Sequence, residues 1–218
     1  MKIKQFYYAE LFFFEKQYSS NMKKIFENIL GQEKAWEFWK QVAASLDRKD
    51  LVLRISDFDN TLFSRQKQLS EIEWLRLNRA DRWPKFLFEQ YGMKRFIDQY
   101  YVWQTIPTEI LSQMNPQHDI IITAWWYKDF QKAKVRAIRQ LDEFQTVYTH
   151  NWEEKIPELI RYVLFELRYI PTEIRVYEDR PEYFLEYREL IQDTLWTQLK
   201  IFYVEMDRND WYKKIEEI

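Results

Sequence analysis

Two carboxylates, Asp57 and Asp59, stand two residues apart in Asp57-Phe58-Asp59-Asn60-Thr61-Leu62, directly after the apolar run Leu51-Val52-Leu53-Arg54-Ile55-Ser56. Acids leaving the carboxyl end of a buried strand emerge where ligands bind in open α/β sheets. One such carboxylate can attack phosphorus and become an acyl phosphate. The other can hand a proton to the leaving oxygen and take one from water. Together they can also hold Mg²⁺, which prefers oxygen ligands. The alternative reading of such a pair is a solvated acidic strand end.

Three further sites recur at strand ends. Ile120-Ile121-Ile122-Thr123 ends in a hydroxyl able to donate to a phosphoryl oxygen. Lys155 stands two residues before Pro157, a residue suited to the first turn of a helix, so the ammonium is expected at a helix entrance on the strand-end side. Val176-Tyr177-Glu178-Asp179-Arg180 delivers a second acidic pair. Acids converging from two strands predict a metal site.

The elements that must position these groups alternate. Short apolar runs at 51–57, 119–123, 144–148, 173–177 and 199–204 have the pattern of buried strands. Helical faces lie between them: Phe130, Ala133, Ala137, Ile138 and Leu141; Ile156, Leu159, Ile160, Val163, Leu164 and Leu167; Phe184, Tyr187, Leu190 and Ile191. This alternation predicts an α/β fold, a mainly parallel sheet covered by helices on both faces. Residues 1–50 read as an N-terminal helical extension, with Met22, Ile25, Phe26 and Ile29 on one stripe, Trp36, Trp39, Val42 and Leu46 on another, and Gly31 as a helix stop between them. Residues 51–218 form the core, and 64–117, too long for one crossover helix, is expected to be an inserted helical cap over the strand ends.

Composition removes most other chemistries. The 218 residues include Gly 2 and Cys 0, so glycine-rich phosphate and dinucleotide loops are excluded, as are the glycine-flanked serine elbow, thiol catalysis and zinc–thiolate sites. Two histidines, His118 and His150, are too few for a zincin motif and are expected to be structural. The net charge of -2 does not indicate a dedicated basic nucleic-acid module. Two basic stripes remain: Arg76, Arg79, Arg82 and Lys85, and Lys128, Lys132, Lys134, Arg136 and Arg139. Either can recruit a polyanion, although solvated helix faces explain such stripes more simply. No apolar run approaches the roughly 20 residues of a membrane span. Glu10 interrupts the apolar stretch Phe6–Phe14, so no leader is expected and the reading is a cytoplasmic protein without a membrane partner.

The order Asp57-x-Asp59-x-Thr61, Thr123, Lys155, Glu178-Asp179 resembles the haloacid-dehalogenase-like phosphohydrolases over roughly residues 51–205. The resemblance implies a Rossmann-like core with five strands in the order 5-4-1-2-3, which makes the first and fourth strands neighbours. It implies Asp57 as nucleophile and Asp59 as general acid/base. Thr123, Lys155 and Asn60 are the expected phosphoryl-binding residues, and Asp57, Asp59, Glu178 and Asp179 the expected Mg²⁺ ligands, with Asp179 favoured over Glu178 for direct contact. Within the family, the stretch Val176–Arg180 with Phe184 looks closest to RNA-repair-linked and polynucleotide 3′-phosphatase proteins. Those relatives often carry glycine and arginine after the strand-end threonine; here Ala124, Trp125 and Trp126 follow Thr123.

The expected function is therefore Mg²⁺-dependent phosphomonoester hydrolysis through an aspartyl phosphate. A nucleotide or nucleic-acid end ranks ahead of a sugar phosphate as substrate, because Trp125 and Trp126 can stack on a base and the basic stripes can recruit a polyanion; Arg180 is a further candidate substrate residue. A sugar-phosphate phosphatase and a non-catalytic binding protein on the same fold are the alternatives.

Overall fold

The computed structural model describes residues 31–64, 92–102, 104–125, 127–207 and 211–218, the side chains of 31–34 excepted. The stripe Met22–Ile29, residues 65–91 of the expected cap with Arg76, Arg79, Arg82 and Lys85, and Trp126 lie outside the described residues.

Helix α1 (Gly31–Ala44) precedes β1 (Arg48–Ser56). Helices α2 (Met93–Tyr100) and α3 (Thr108–Leu111) then lead to β2 (Ile120–Ala124) and α4 (Lys128–Arg136). After β3 (Gln145–Thr149) come α5 (Lys155–Arg161), β4 (Ile170–Glu178), α6 (Glu182–Glu186) and α7 (Arg188–Leu195), with β5 (Gln198–Met206) and β6 (Tyr212–Glu217) closing the chain. The sheet has six strands in the order β3-β2-β1-β4-β5-β6. Neighbours pair in parallel except β5 with β6, which are antiparallel. This is a Rossmann-like α/β fold, and its first five strands follow the expected order.

Two expectations are corrected. The sheet has a sixth strand, because β6 reads Tyr-Lys-Lys-Ile-Glu-Glu and is exposed along nearly its whole length. An edge strand without a buried face has no apolar alternation to reveal it. Gly31, expected to stop a helix, is itself helical within α1.

Each face of the sheet carries its own core. On one, Leu53, Ile55, Ile120, Ile122, Ile174 and Val176 meet Trp39 and Ala43 of α1, Leu159 of α5 and Ile191 of α7. On the other, Ile121 and Tyr177 meet Phe96 of α2, Ile110 of α3 and Phe130 of α4. The described part of the expected cap, from residue 92 on, thus contributes Phe96, Ile97, Tyr101, Ile106 and Ile110 to this second core. Each fully buried side chain of this kind is worth about 1.5–3 kcal/mol relative to exposure, so the sheet is clamped from both sides and its strand ends are held firmly.

Two predicted helices change pitch. The Ile156–Leu167 face is carried by α5 and then a wider π turn, Tyr162–Leu167, which ends at left-handed Arg168. The Phe184–Ile191 face is divided between α6 and α7 at Tyr187.

Candidate active site

Parallel pairing aligns the carboxyl ends of β1, β2 and β4. Ser56 is level with Tyr177, and the ladder extends one rung further, Asp57 N–H donating to the Tyr177 carbonyl at 3.0 Å. Beyond it the chain coils tightly: Leu62 and Phe63 N–H donate to the Phe58 carbonyl, and Asn60 N–H to the Phe63 carbonyl at 2.7 Å. Asn60 has φ 62°, a left-handed conformation that asparagine tolerates better than most residues. That coil turns Asp59 back into the protein, where it is 2% exposed.

Asp57, Glu178 and Asp179 offer carboxylate oxygens that all lie within 4.8 Å of one another. Lys155, the first residue of α5, enters between them: its Nζ is 2.9 Å from Asp57 Oδ1 and donates to Glu178 Oε2 at 2.5 Å. Asn60 Nδ2 donates to Asp179 Oδ2 at 3.0 Å. Three carboxylates thus cluster around one ammonium that pairs with two of them, Asp57 and Glu178. Burial raises the proton affinity of Asp57 above that of an ordinary aspartate; Lys155 opposes this, while Asp179 and Asp59 add to it. Glu178 is pushed further up, by burial first and then by Asp57. Burial works against the charge of Lys155, but Asp57 and Glu178 outweigh it, and the ammonium holds its proton more tightly than a free lysine. The lysine is over-supplied with counter-charge and the carboxylates are under-supplied. A small divalent cation with oxygen ligands is the species that would correct this, so the residues present fit Mg²⁺.

Asp59, also expected among the metal ligands, lies outside this triad. Lys134 Nζ donates to both its oxygens at 2.7 Å, and Gln131 Nε2 to Oδ2 at 2.8 Å. Lys134 is fully buried, its ammonium 4.7 Å from the ring centre of Trp125 and 5.1–5.8 Å from those of Phe130, Phe58 and Tyr101. This corrects the reading of Lys134 as part of a solvated basic face. Gln131 Nε2 also donates to Thr123 Oγ1 at 2.7 Å, leaving the threonine hydroxyl its own hydrogen to give. Thr123 is 1% exposed.

A cleft of about 270 Å³ opens above these groups, lined at its base by Asp57, Asp59, Lys155, Glu178 and Asp179. Trp125 is on its wall but leans edge-on against Phe130, ring centres 6.1 Å apart. Arg180 lines the cleft as well, and His150 is on its rim side rather than in the core. Sequence reasoning missed Lys134, Gln131, Trp152 and Tyr183. Gln131 had a readable signal, since it directly follows Phe130 on the inner side of α4.

No family model, curated protein or solved structure matches the chain.

Among the described residues, no helix is long and apolar enough to cross a membrane.

Proposed function

We propose that the chain is a Mg²⁺-dependent phosphomonoester hydrolase of the haloacid-dehalogenase-like kind, working through a phosphorylated Asp57. The observation that carries this reading is the joining, at one cleft, of a nucleophile-ready carboxylate held by Lys155, a second acidic pair from β4, and a separately held carboxylate two residues further on.

An Asp57 oxygen attacks phosphorus, and the bond from phosphorus to the leaving oxygen breaks with its electron pair on that oxygen. Asp59 must enter this step protonated; its proton makes the leaving group an alcohol, and Lys134 stabilises the carboxylate left behind. Water then attacks the same phosphorus, gives a proton to Asp59, and frees the Asp57 carboxylate as inorganic phosphate departs. Lys155 neutralises charge between Asp57 and Glu178, and Thr123 donates to a phosphoryl oxygen. Asp57 and Asp179 would hold the Mg²⁺, with Glu178 anchoring Lys155. Bound there, the ion would supply charge neutralisation to the phosphoryl oxygens.

Hydrolysis of an aryl phosphate with Mg²⁺ and with chelator tests the reading. Turnover is expected only with Mg²⁺. Acid-quenched protein should carry phosphate on the peptide containing Asp57, and Asp57→Asn should lack both label and turnover. Undiminished rates in chelator, or in Asp57→Asn, would refute it.

A further inference from the structure

The outer wall of the cleft is aromatic and cationic. Trp152, in the loop between β3 and α5, stacks on Tyr183 of α6 with ring centres 5.4 Å apart and planes 19° from parallel. The Arg180 guanidinium carbon lies 5.5 Å from the centre of the Trp152 ring. All three line the cleft that holds Asp57 and Lys155. Trp152 is nonetheless 42% exposed, an open indole beside a charged site.

The loop presenting Trp152 is tied down. Thr149 Oγ1 donates to the Asn151 carbonyl at 2.8 Å. Glu154 N–H donates to Asn151 Oδ1 at 3.0 Å, and His150 N–H to Glu154 Oε2 at 2.8 Å. The indole is therefore preorganised, which lowers the ordering cost of binding. β3 and β4 are separated by β2 and β1 in the sheet, so the stack joins loops from well-separated strands into a wall over the Asp57 strand end.

We propose that Trp152, Tyr183 and Arg180 form a leaving-group subsite that selects phosphomonoesters carrying a nucleobase; the inference rests on the hydrolase reading for the orientation of the phosphoryl group. With phosphate over Asp57 and Lys155, the rest of the substrate extends toward this wall. A sugar offers no flat face to it, whereas every base does, and stacking tolerates any base. Arg180, already on an aromatic face, can stack on a base or pair with a neighbouring phosphate. The cleft is smaller than a typical drug-sized site, so it suits a single nucleotide unit with any further chain outside.

Equilibrium binding tests the subsite independently of hydrolysis. The full chain with Mg²⁺ is titrated with 3′- and 5′-nucleoside monophosphates and with ribose 5-phosphate, as wild type, Trp152→Ala and Trp152→Phe, in the Asp57→Asn background if turnover depletes ligand. Wild type should prefer a nucleoside monophosphate over ribose phosphate. Trp152→Ala should collapse that preference by about 5- to 150-fold, and Trp152→Phe should restore most of it. A fluorescence or calorimetric preference equal in wild type and Trp152→Ala would overturn the subsite, as would no preference in wild type. Absence of hydrolysis alongside an intact, Trp152-dependent preference would refute the hydrolase reading and keep the subsite. A 3′-phosphorylated oligonucleotide separates the sources. Tighter, strongly salt-dependent binding than the mononucleotide identifies a nucleic-acid end, and equal binding identifies a free nucleotide; both support the base subsite.

Discussion

Lys134 shows how much one side chain can decide. An ammonium with no exposure, ringed by Trp125, Phe130, Phe58 and Tyr101, persists because Asp59 and its two oxygens meet it at 2.7 Å. Removing one partner of a buried ion pair leaves the other charge buried, at a cost of about 3–5 kcal/mol. Lys134→Met should therefore destabilise by that order in urea unfolding, and adding Asp59→Asn should recover much of the loss, a coupling that a double-mutant cycle reads directly. A change below about 0.5 kcal/mol, as for a surface lysine, would show that the pair is not buried as described. The clustering of Asp57, Glu178 and Asp179 at the strand ends was legible because acids that terminate apolar runs break a strong local pattern. Lys134 was not, because a lysine among Lys128, Lys132 and Arg136 has the periodicity of a solvated face, and only the third dimension reveals which lysine turns inward. Trp152 was hidden for a related reason: its partner Tyr183 is distant in sequence and follows another strand.

At the scale of elements, five strands and the helical faces between them were readable wherever burial on one or both faces imposed a period. The pattern failed where burial is absent, at β6, and where the backbone changes pitch inside a continuous apolar face. The π turn Tyr162–Leu167 is such a case: Val163 and Leu164 keep the face buried while the wider turn ends at Arg168, φ 58°. Arg168 is exposed, its N–H donating to the Val163 carbonyl at 3.0 Å. A non-glycine residue in the left-handed region costs about 1–2 kcal/mol, and glycine there loses about 0.5–1 kcal/mol through the freedom of the unfolded chain. Arg168→Gly should thus stabilise by about 0.5–1 kcal/mol, a rise of roughly 1–4 °C in Tm for a chain of this size. The lost Arg168 Nε bond to the Phe165 carbonyl is exposed and offsets little of it. A lower Tm for the glycine variant would show that Arg168 packs in a way its exposure does not suggest.

Across the whole molecule, the charge imbalance at the strand ends is a stability term as well as a site. Asp57 and Glu178 hold their protons more tightly folded than unfolded. Between the ordinary carboxylate range and the raised values, the folded state binds more protons, so stability falls as pH rises through that window and recovers on acidification. Glu173, held below the ordinary value by Arg175 and Lys200 despite partial burial, works in the opposite sense, but only at more acidic pH. Asp119, buried at the far end of β2, is also raised and has the same sign as Asp57, so wild type alone cannot assign the effect. Asp57→Asn isolates it, since Asp119 is common to both proteins. In chelator at about pH 7.5, Asp57→Asn should melt above wild type, by about 2–4 °C for each kcal/mol of relieved repulsion. The gap should close as pH falls toward the ordinary aspartate range, because wild-type Asp57 then takes up its proton. Mg²⁺ should reverse the order at neutral pH. Wild type gains RT ln(1 + [Mg²⁺]/Kd), about 2.7 kcal/mol at a hundred times Kd, while the variant, short of one anionic ligand, gains less. Scanning calorimetry of the two proteins with and without Mg²⁺ at two pH values reads all of this. If Asp57→Asn melts below wild type in chelator at neutral pH, Lys155 outweighs the repulsion at Asp57 and the cluster has no deficit of positive charge for a cation to fill.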